Sequence, residues 1–330
     1  MNKTIQQLCE RVRTEIPGGI AVVYGGWSPE REISLQSGAA VGHALTKVGI
    51  QASMIDVDRS RIRSQLGDEF AHVFLALHGP GGEDGAIQGY LECVDVGYTG
   101  SGVLASALAM DKQRSKQLWQ SRGIATADFA SLDENTDWAA VLKRLNGAVF
   151  VKPCHEGSSI GMSIARNVSE LQAAFATARQ YDSVVLAERL IEGREFHVSI
   201  LGTDVLPPVE VTTSREFYDY DAKYIENTTS YHCPVELDAT ETKQLMTLSM
   251  QAFQSLGCSG WGRVDVMRNA SGEFFVLEVN TIPGLTDHSL VPMSAKAAGM
   301  SFEELVLRIL LTAAEGYIQA EGSLQAEGLQ

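Results

Sequence analysis

Two strand-like segments in the last third of the chain carry the side chains best suited to chemistry. Arg263 and Asp265 alternate on the first segment, and Glu278 and Asn280 alternate on the second. The polar residues 268–272 between them favour a hairpin turn. Because side chains two residues apart share a face of a strand, each pair points to one side. A register with Asp265 opposite Glu278 also places Arg263 opposite Asn280, so all four groups would converge.

Such a convergence requires a compensating positive charge. Two carboxylates about 5 Å apart would repel by roughly 3 kcal/mol at an effective dielectric of about 20. The carboxylates of Asp265 and Glu278 and the carbonyl of Asn280 are hard oxygen ligands. These ligands suit Mg²⁺ or Mn²⁺, which usually take further oxygens from a substrate phosphate. The hairpin therefore predicts a divalent metal site beside an arginine.

Composition narrows the class of protein. A chain of 330 residues with 45% hydrophobic and 20% charged residues is typical of a globular protein with two or three domains. The net charge of −15 disfavours a nucleic-acid partner. There is no membrane-length apolar run and no signal-peptide pattern at the N-terminus, so we expect a cytoplasmic protein without a membrane partner. The five cysteines lack CxxC spacing, which indicates free thiols rather than disulfides or a zinc site.

The first third of the chain has the pattern of a parallel sheet covered by helices. Residues 19–24 and 72–77 are predicted strands, and residues 39–48 are a predicted helix. Ser28 suits the start of a helix. Glu30 would then lie at the carboxyl edge of the first strand, where ligands bind in open α/β sheets.

Changes in pattern along the chain predict its domains. We expect a helical N-terminal extension over residues 1–17, an α/β domain over 18–114, a central domain over 115–192, a C-terminal domain over 193–316 and a disordered polar tail over 317–330. The polar, tyrosine-rich residues 212–232 predict a lid over a functional site, because such long irregular segments are uncommon in compact domains.

A glycine- and serine-rich segment, residues 156–162, follows a predicted strand that ends at Lys152. It is not a Walker motif, but its backbone amides could hold phosphate oxygens; a plain surface hairpin is the alternative. Lys112, Lys152 and Lys223 could face a triphosphate, although each lysine alone is more typical of a solvated surface charge. Residues 100–105 fit a dinucleotide fingerprint but lack the acidic ribose ligand, which disfavours a dehydrogenase.

Together these segments resemble the D-alanine–D-alanine ligases of the ATP-grasp family. The resemblance runs in order from about residue 20 to residue 310. It is carried by residues 25–34, 76–79, 82–85, 98–102, 110–112, 151–153, 156–159, 217–220, 222–224, 262–265, 278–281, 283–286 and 289–290. The chain departs from the family pattern at Cys154, His155 and Ile282, none of which is an expected ligand position.

The resemblance implies an α/β and α+β fold of three domains. An N-terminal parallel-sheet, Rossmann-like domain would precede a two-domain ATP-grasp fold, with ATP between the second and third domains and a homodimer formed through the first. In the family, the carboxylate of one D-alanine attacks the γ-phosphate of ATP. The amine of a second D-alanine then displaces phosphate from the acyl phosphate, as a step of peptidoglycan synthesis.

The resemblance also implies roles for individual residues. Two Mg²⁺ or Mn²⁺ ions would bind Asp265, Glu278 and Asn280. The expected catalytic residues are Glu30, Ser158, Tyr224, Arg263, Gly284 and Ser289, and His78 and Leu290 complete the expected D-alanine sites. The expected ATP contacts are Lys112, Lys152, Ser158, Ser159, Glu188, Arg189, Leu190, Ile191, Glu195, Phe217, Lys223 and Asn280.

Alternatives remain at this point. Without the family, a lone histidine at a strand end such as His78 is more often structural, and Ser289 could simply cap a helix. Lys223-Tyr224 follows the pattern of relatives that form a dipeptide rather than an ester. The competing hypotheses are another carboxylate–amine ligase with a different second substrate, and a catalytically silent nucleotide-binding module.

Overall fold

The computed structural model describes residues 3–67, 69–213 and 229–327, with side chains described up to residue 314. The described chain contains three β-sheets, one parallel and two antiparallel, which confirms the predicted fold class. Within these described ranges, no helix is long and apolar enough to cross a bilayer. All five cysteines lie in the described part of the chain and are free thiols, as predicted.

The first sheet is parallel, with the strand order β2-β1-β3-β4. Its strands are β1 (Gly19–Gly25), β2 (Ser53–Val57), β3 (Phe70–Leu75) and β4 (Gly97–Tyr98). Three helices accompany it, α2 (Arg31–Lys47), α3 (Ile62–Gln65) and α4 (Ala86–Cys93), whereas α5 (Val103–Met110) buries Ala105 and Ala109 in a separate core. The continuous burial of β1 is what a parallel strand covered on both faces requires.

The N-terminal segment belongs to this first core. Helix α1 (Lys3–Glu15) buries Ile5, Leu8, Cys9 and Val12 in the same apolar cluster as β1 and β3. It packs along the final helix, α11 (Phe302–Glu327). The segment expected as an extension is therefore helical, as predicted, but it is also part of the packed structure.

The C-terminal end differs from the prediction. Helix α11 continues through Glu327, whereas a disordered tail was expected from residue 317. The Gln-Ala-Glu-Gly repeat suggested disorder because it is polar. Alanine, glutamate, glutamine and leucine are nevertheless strong helix formers, and each isolated glycine opposes a helix by only about 1 kcal/mol.

The second sheet is antiparallel, with the order β5-β8-β6-β7. Its strands are β5 (Phe129–Leu132), β6 (Val149–Pro153), β7 (Ser163–Ala165) and β8 (Val185–Arg189). Helices α7 (Trp138–Arg144) and α8 (Val168–Ala178) accompany it, and α6 (Lys112–Ser121), which precedes it, buries Trp119 against Ala252 in a separate core. Asp111 caps α6 by accepting a hydrogen bond from the backbone N–H of Arg114, which fixes the direction in which the helix leaves the first domain.

The third sheet is antiparallel and has six strands in the described chain. They are β9 (Gly193–Leu201), β10 (Asp204–Val205), β11 (Val209–Thr212), β12 (Ser230–His232), β13 (Trp261–Asn269) and β14 (Phe274–Asn280). The path is β12-β11-β9-β13-β14, and β10 pairs with β9. Helices α9 (Ala239–Ser255) and α10 (Leu290–Ala297) pack on it, and Asp238 and Glu241 form a capping box at the start of α9.

The burial of α1 predicts its contribution to stability. Replacing Leu8 with Ala should lower the free energy of unfolding by about 2–5 kcal/mol, because it leaves a cavity between α1 and the first core. Gln7→Ala, at an exposed position of the same helix, is the matched control and should change little. Urea unfolding measures both variants. Equal stability of the two would show that α1 is not part of the core.

Candidate active site

The β13–β14 hairpin has the predicted register. Arg263 pairs with Asn280, and Asp265 pairs with Glu278, with an irregularity in the ladder directly after Asp265. On its other side β13 pairs with β9, which places His197 opposite Asp265. The strand register predicted from the sequence is therefore confirmed. His197 also lies beside the four predicted groups.

Asp265 is buried and held by cationic partners. Arg263 donates to it through Nε (2.7 Å to Oδ1) and Nη2 (2.8 Å to Oδ2), and Nδ1 of His197 lies 2.7 Å from Oδ1. Burial alone would raise the pKa of Asp265, but Arg263 and His197 hold that pKa below its usual range. The carboxylate is therefore ionised and fixed in one orientation.

The sequence analysis did not identify His197. This side chain links two predicted site residues, because its Nε2 lies 3.3 Å from Oε1 of Glu195 while its Nδ1 faces Asp265. Burial opposes the charged imidazole, yet the two carboxylates raise the pKa of His197. Glu195 and His197 alternate on β9, and that alternation is the signal that could have found the histidine.

A cavity of about 290 Å³ lies between the second and third sheets. It is lined by most of the predicted ATP contacts, by Asp265 and by Glu278. The predicted contacts along its wall are Lys152, Ser159, Glu188, Arg189, Leu190, Ile191 and Glu195. Both apolar and charged groups line it, as a site for a nucleotide requires.

Two lysines neutralise Glu188 at the back of this cavity. Nζ of Lys152 lies 2.8 Å from Oε1, and Nζ of Lys116 lies 3.1 Å from Oε2. Burial would raise the pKa of Glu188, but the two lysines hold that pKa below its usual range. Burial and repulsion from Lys152 lower the pKa of Lys116 to about 8 despite the contact with Glu188. Lys116 also donates to the hydroxyl of Thr126.

Lys116 was missed because a lysine within a helix is typical of a solvated surface. It lies one helical turn after Lys112 in α6, so both side chains project from the same face. Nζ of Lys112 donates to the backbone carbonyl of Glu156 (2.7 Å) and lies 3.4 Å from Oε2 of Glu278. The spacing to Lys112 is the signal that could have identified Lys116.

A smaller cavity of about 120 Å³ lies where the first and third sheets meet. It brings together the predicted amino-acid contacts of the described chain, which are Glu30, His78, Ser158, Arg263, Gly284, Ser289 and Leu290. Lys112 and Asn280 also line it. Glu278 lines both cavities, so the two are adjacent at one carboxylate.

The glycine-rich segment closes one side of the smaller cavity. The hydroxyl of Ser158 donates to the carboxylate of Glu30, which connects the central domain to the first domain. Ser158 and Ser159 both have positive φ, of 50° and 60°. Two successive non-glycine residues in the left-handed region are uncommon, and such strain clusters at functional sites.

The helix after β1 starts later than Ser28 suggested. Helix α2 starts at Arg31, and Glu30 occupies the capping position without a side-chain capping bond. The hydroxyl of Ser28 accepts from the backbone N–H of Glu30 and donates to the carbonyl of His78. A tight turn therefore precedes the helix, and it leaves the Glu30 carboxylate available to Ser158.

His78 joins the first domain to the loop after β14. Its Nδ1 donates to the carbonyl of Ile282 (2.8 Å), so its Nε2 accepts from the hydroxyl of Ser37 (3.0 Å) in the neutral imidazole. That hydroxyl also accepts from the backbone N–H of Leu285. Glu83 lies nearby, 3.6 Å from Nδ1, and burial raises the pKa of Glu83. His78 therefore lines the cavity and fixes the loop that carries Gly284.

Ser289 stands at the capping position of α10, but its hydroxyl does not cap the helix. It accepts from the backbone N–H of Thr286 instead, at 2.9 Å. A Cβ at Gly284 would approach this hydroxyl to 2.9 Å, so glycine permits the loop to pass close to it. The predicted residues Phe217, Lys223 and Tyr224, with most of the predicted lid, lie outside the described residues.

The donor chemistry of the hairpin fits a hard divalent cation. Asp265 and Glu278 supply carboxylate oxygens from paired positions, and Asn280 supplies an amide oxygen. Asp265 accepts three nitrogen donors from Arg263 and His197, and an ionised carboxylate has about four acceptor positions. Asp265 therefore keeps an acceptor position for a metal.

A parallel-sheet domain followed by two antiparallel sheets that enclose a nucleotide-sized cavity defines an ATP-grasp ligase. Residues 118–311 match the family model described as D-ala D-ala ligase C-terminus, and residues 60–101 match the model of the D-ala D-ala ligase N-terminus. The chain belongs to the D-alanine–D-alanine ligase family.

Individual relatives agree with this assignment. The chain is 53% identical over 293 residues to a D-alanine–D-alanine ligase of Saccharophagus degradans, covering 89% of this chain and 93% of the relative. A D-alanine–D-alanine ligase from Bacillus anthracis solved with ATP superposes with a TM-score of 0.81 at 33% identity, over 92% and 99% of the two chains. A D-Ala:D-Ser ligase from Enterococcus faecalis gives a TM-score of 0.77 at 30% identity, over 90% and 99%.

The network around Glu188 predicts a dependence of stability on pH. Replacing Lys116 with Met removes one cation and should raise the pKa of Glu188. A carboxyl whose pKa is lowered in the folded state contributes stability that is present above its ordinary pKa of 4.5 and is lost as the pH falls through the folded pKa. In Lys116→Met the pKa of Glu188 should lie closer to 4.5, so the variant should be less stable at neutral pH and should lose less stability as the pH falls below 4.5.

Urea unfolding between about pH 7 and pH 3 measures the effect. The free energy of unfolding of Lys116→Met should be lower than that of the wild type at pH 7, and the difference should shrink as the pH falls. Lys116 itself adds no slope there, because its pKa of about 8 lies above the range. Lys143→Met, at an exposed position of α7, is the control. Parallel curves for all three proteins would contradict the assigned role of Lys116.

Proposed function

We propose that this protein joins two D-alanine molecules into D-alanyl-D-alanine for peptidoglycan precursors, with conversion of ATP to ADP and phosphate. Family membership and the relatives named for this activity support the proposal. The observation that ties the reaction to this site is that Glu278 lines both cavities. A nucleotide in the larger cavity and an amino acid in the smaller one would meet at this residue.

In the first step, a carboxylate oxygen of the first D-alanine attacks the γ-phosphorus, and the bond to the β-phosphate oxygen breaks. The products are D-alanyl phosphate and ADP. Glu30 binds the ammonium of the first D-alanine, and Lys112 and Lys152 offset the negative charge of the phosphates. This role needs little covalent chemistry from the protein, because phosphoryl transfer depends mainly on positioning and electrostatics.

In the second step, the amine of the second D-alanine attacks the acyl carbon and phosphate leaves. A negative charge develops on the acyl oxygen, and Arg263 and the backbone N–H of Gly284 stabilise it. Ser289 and Leu290 hold the carboxylate of the second substrate. Since Arg263 commits Nε and Nη2 to Asp265, its orientation is already set before substrate binds.

Two Mg²⁺ or Mn²⁺ ions would be held by Asp265, Glu278 and Asn280. When bound, they neutralise charge on the transferred phosphate and its neighbours. The roles assigned to Phe217 at the base, Lys223 at the phosphates and Tyr224 beside Ser158 rest on the family resemblance. The domain limits, a homodimer and a cytoplasmic location stay predictions.

The activity is tested by the dependence of ATP hydrolysis on D-alanine. Phosphate release should require D-alanine, should not respond to L-alanine, and should match the formation of dipeptide mole for mole. Phosphate release and mass spectrometry of the product measure these quantities. ATP turnover that is indifferent to D-alanine would exclude the ligase.

The same assay distinguishes the second substrate. Because a D-Ala:D-Ser ligase shares the fold, the fold alone does not determine the second nucleophile. With D-alanine in competition against D-serine and D-lactate, we expect D-alanyl-D-alanine to dominate the products. A majority of mixed dipeptide or of ester would instead support a ligase with another second substrate.

Because Glu278 lines both cavities, its substitution should greatly reduce turnover. Glu278→Gln keeps the size of the side chain and removes its charge, so turnover should fall by at least about 100-fold, measured by phosphate release. Glu273→Gln, on the exposed turn of the same hairpin, is the matched control and should keep wild-type turnover. An active Glu278→Gln protein would place the metal site elsewhere or favour a silent binding module.

A further inference from the structure

Four side chains with metal-binding atoms meet at the base of the glycine-rich segment, outside both cavities. Asp111 lies between α5 and α6, Cys154 and His155 follow β6, and Asp182 precedes β8. None of the four lines the nucleotide or amino-acid cavity. Their spacing in the sequence follows no metal-binding motif, because three separate segments supply them.

Two separations in this cluster, one to each carboxylate oxygen of Asp111, are close to those between neighbouring ligands of a zinc ion. Sγ of Cys154 lies 3.3 Å from Oδ1 of Asp111, and Nε2 of His155 lies 3.4 Å from Oδ2. The ligand atoms of these three residues all lie within 4.8 Å of one another. With zinc–ligand bonds of about 2.0–2.3 Å at tetrahedral angles, neighbouring ligand atoms are about 3.4–3.6 Å apart.

Asp182 orients the imidazole. Its Oδ2 accepts from the backbone N–H of His155 (2.7 Å) and lies 2.9 Å from Nδ1. Burial opposes ionisation, but hydrogen bonds from Val184 and His155 lower the pKa of Asp182, so its carboxylate only accepts and Nδ1 must carry a proton. This carboxylate–histidine pairing is the arrangement that orients histidine ligands in zinc sites.

Nε2 of His155 faces a second carboxylate, because it lies 3.4 Å from Oδ2 of Asp111. Although burial opposes this, hydrogen bonds from Arg114 and Cys154 lower the pKa of Asp111, so the Asp111 carboxylate accepts and is available to a cation. The separation of the two atoms allows one metal ion to bind both. Arg114 reaches Oδ2 of Asp111 from the outside, and its 69% exposed side chain can turn away when an ion enters.

The backbone holds the cluster in place. The N–H of Lys112 donates to the carbonyl of Cys154, and the N–H of Cys154 donates to the carbonyl of Val184. Cys154 is fully buried, whereas the side chain of His155 is 41% exposed and gives access from solvent. A thiolate and an imidazole select zinc-like ions over Mg²⁺, which prefers oxygen ligands.

We propose that Asp111, Cys154 and His155 bind a zinc-like divalent cation, with Asp182 orienting His155 and a water molecule as fourth ligand. As the bond between sulfur and metal forms, the proton of the thiol leaves to solvent. Burial raises the pKa of Cys154 to about 12, so the ion competes with that proton. Lys112, which follows Asp111, donates to Glu156, so the ion would tie the base of the glycine-rich segment to α6.

Cobalt(II) provides a spectroscopic test on the full chain, with Mg²⁺ in excess to fill the hard-ligand site. We expect a charge-transfer absorption from thiolate to cobalt and the visible bands of four-coordinate cobalt, both removed by equimolar Zn²⁺. Cys154→Ser should lose the charge-transfer absorption. His155→Gln should weaken cobalt binding by at least about 10-fold, and its exposed position makes correct folding of the variant straightforward to verify.

Cys93→Ser is the matched control, because Cys93 is the exposed free thiol on α4, and it should retain the full spectrum. The two loop variants should keep Mg²⁺-dependent turnover, which checks that they fold. Wild-type protein without the charge-transfer absorption would overturn the proposal. So would a spectrum lost in Cys93→Ser and kept in Cys154→Ser, or unchanged cobalt affinity in His155→Gln.

Discussion

Burial of carboxylates between the sheets is the constraint on which the site depends. Asp265 and Glu188 are both buried, and an unpaired buried charge costs several kcal/mol. Asp265 is held by Arg263 and His197, which come from two neighbouring strands of the third sheet. Glu188 is held by lysines from β6 and α6. The neutralisation of these charges therefore ties β9 to β13 within the third sheet and α6 to the second sheet.

Helix α6 supplies cations to carboxylates in both cavities. Lys116 faces Glu188 in the larger cavity, and Lys112, one turn earlier, faces Glu278, which lines both cavities. A ligand phosphate that approached Lys112 would compete with Glu278 for the same ammonium. Since the cations are already oriented by protein carboxylates, little reorganisation is needed when a substrate anion takes their place, and this preorganisation makes electrostatic catalysis efficient.

Residues close in sequence were predictable, and residues joined only by tertiary packing were not. The hairpin register followed from period-two alternation, because Arg263, Asp265, Glu278 and Asn280 lie within two adjacent strands. His197 enters through the pairing of β9 with β13, 68 residues apart, which no local pattern specifies. The packing of α1 on α11 likewise depends on both ends of the chain. Cys154 and His155 stood out only as departures, because Asp111 and Asp182 come from other segments.

The ligand atoms of the β13–β14 hairpin and those at the base of the glycine-rich segment differ in chemical softness. Oxygen ligands on the hairpin suit Mg²⁺ or Mn²⁺, whereas sulfur and nitrogen at the base of the glycine-rich segment suit zinc-like ions, so the two proposed sites would differ in the metal they prefer. Lys112 lies beside both, next to Asp111 in sequence and 3.4 Å from Glu278 in space. Because its buried ammonium interacts with the charge at either site, an ion at the base of the glycine-rich segment and the charge of Glu278 are electrostatically coupled through one lysine.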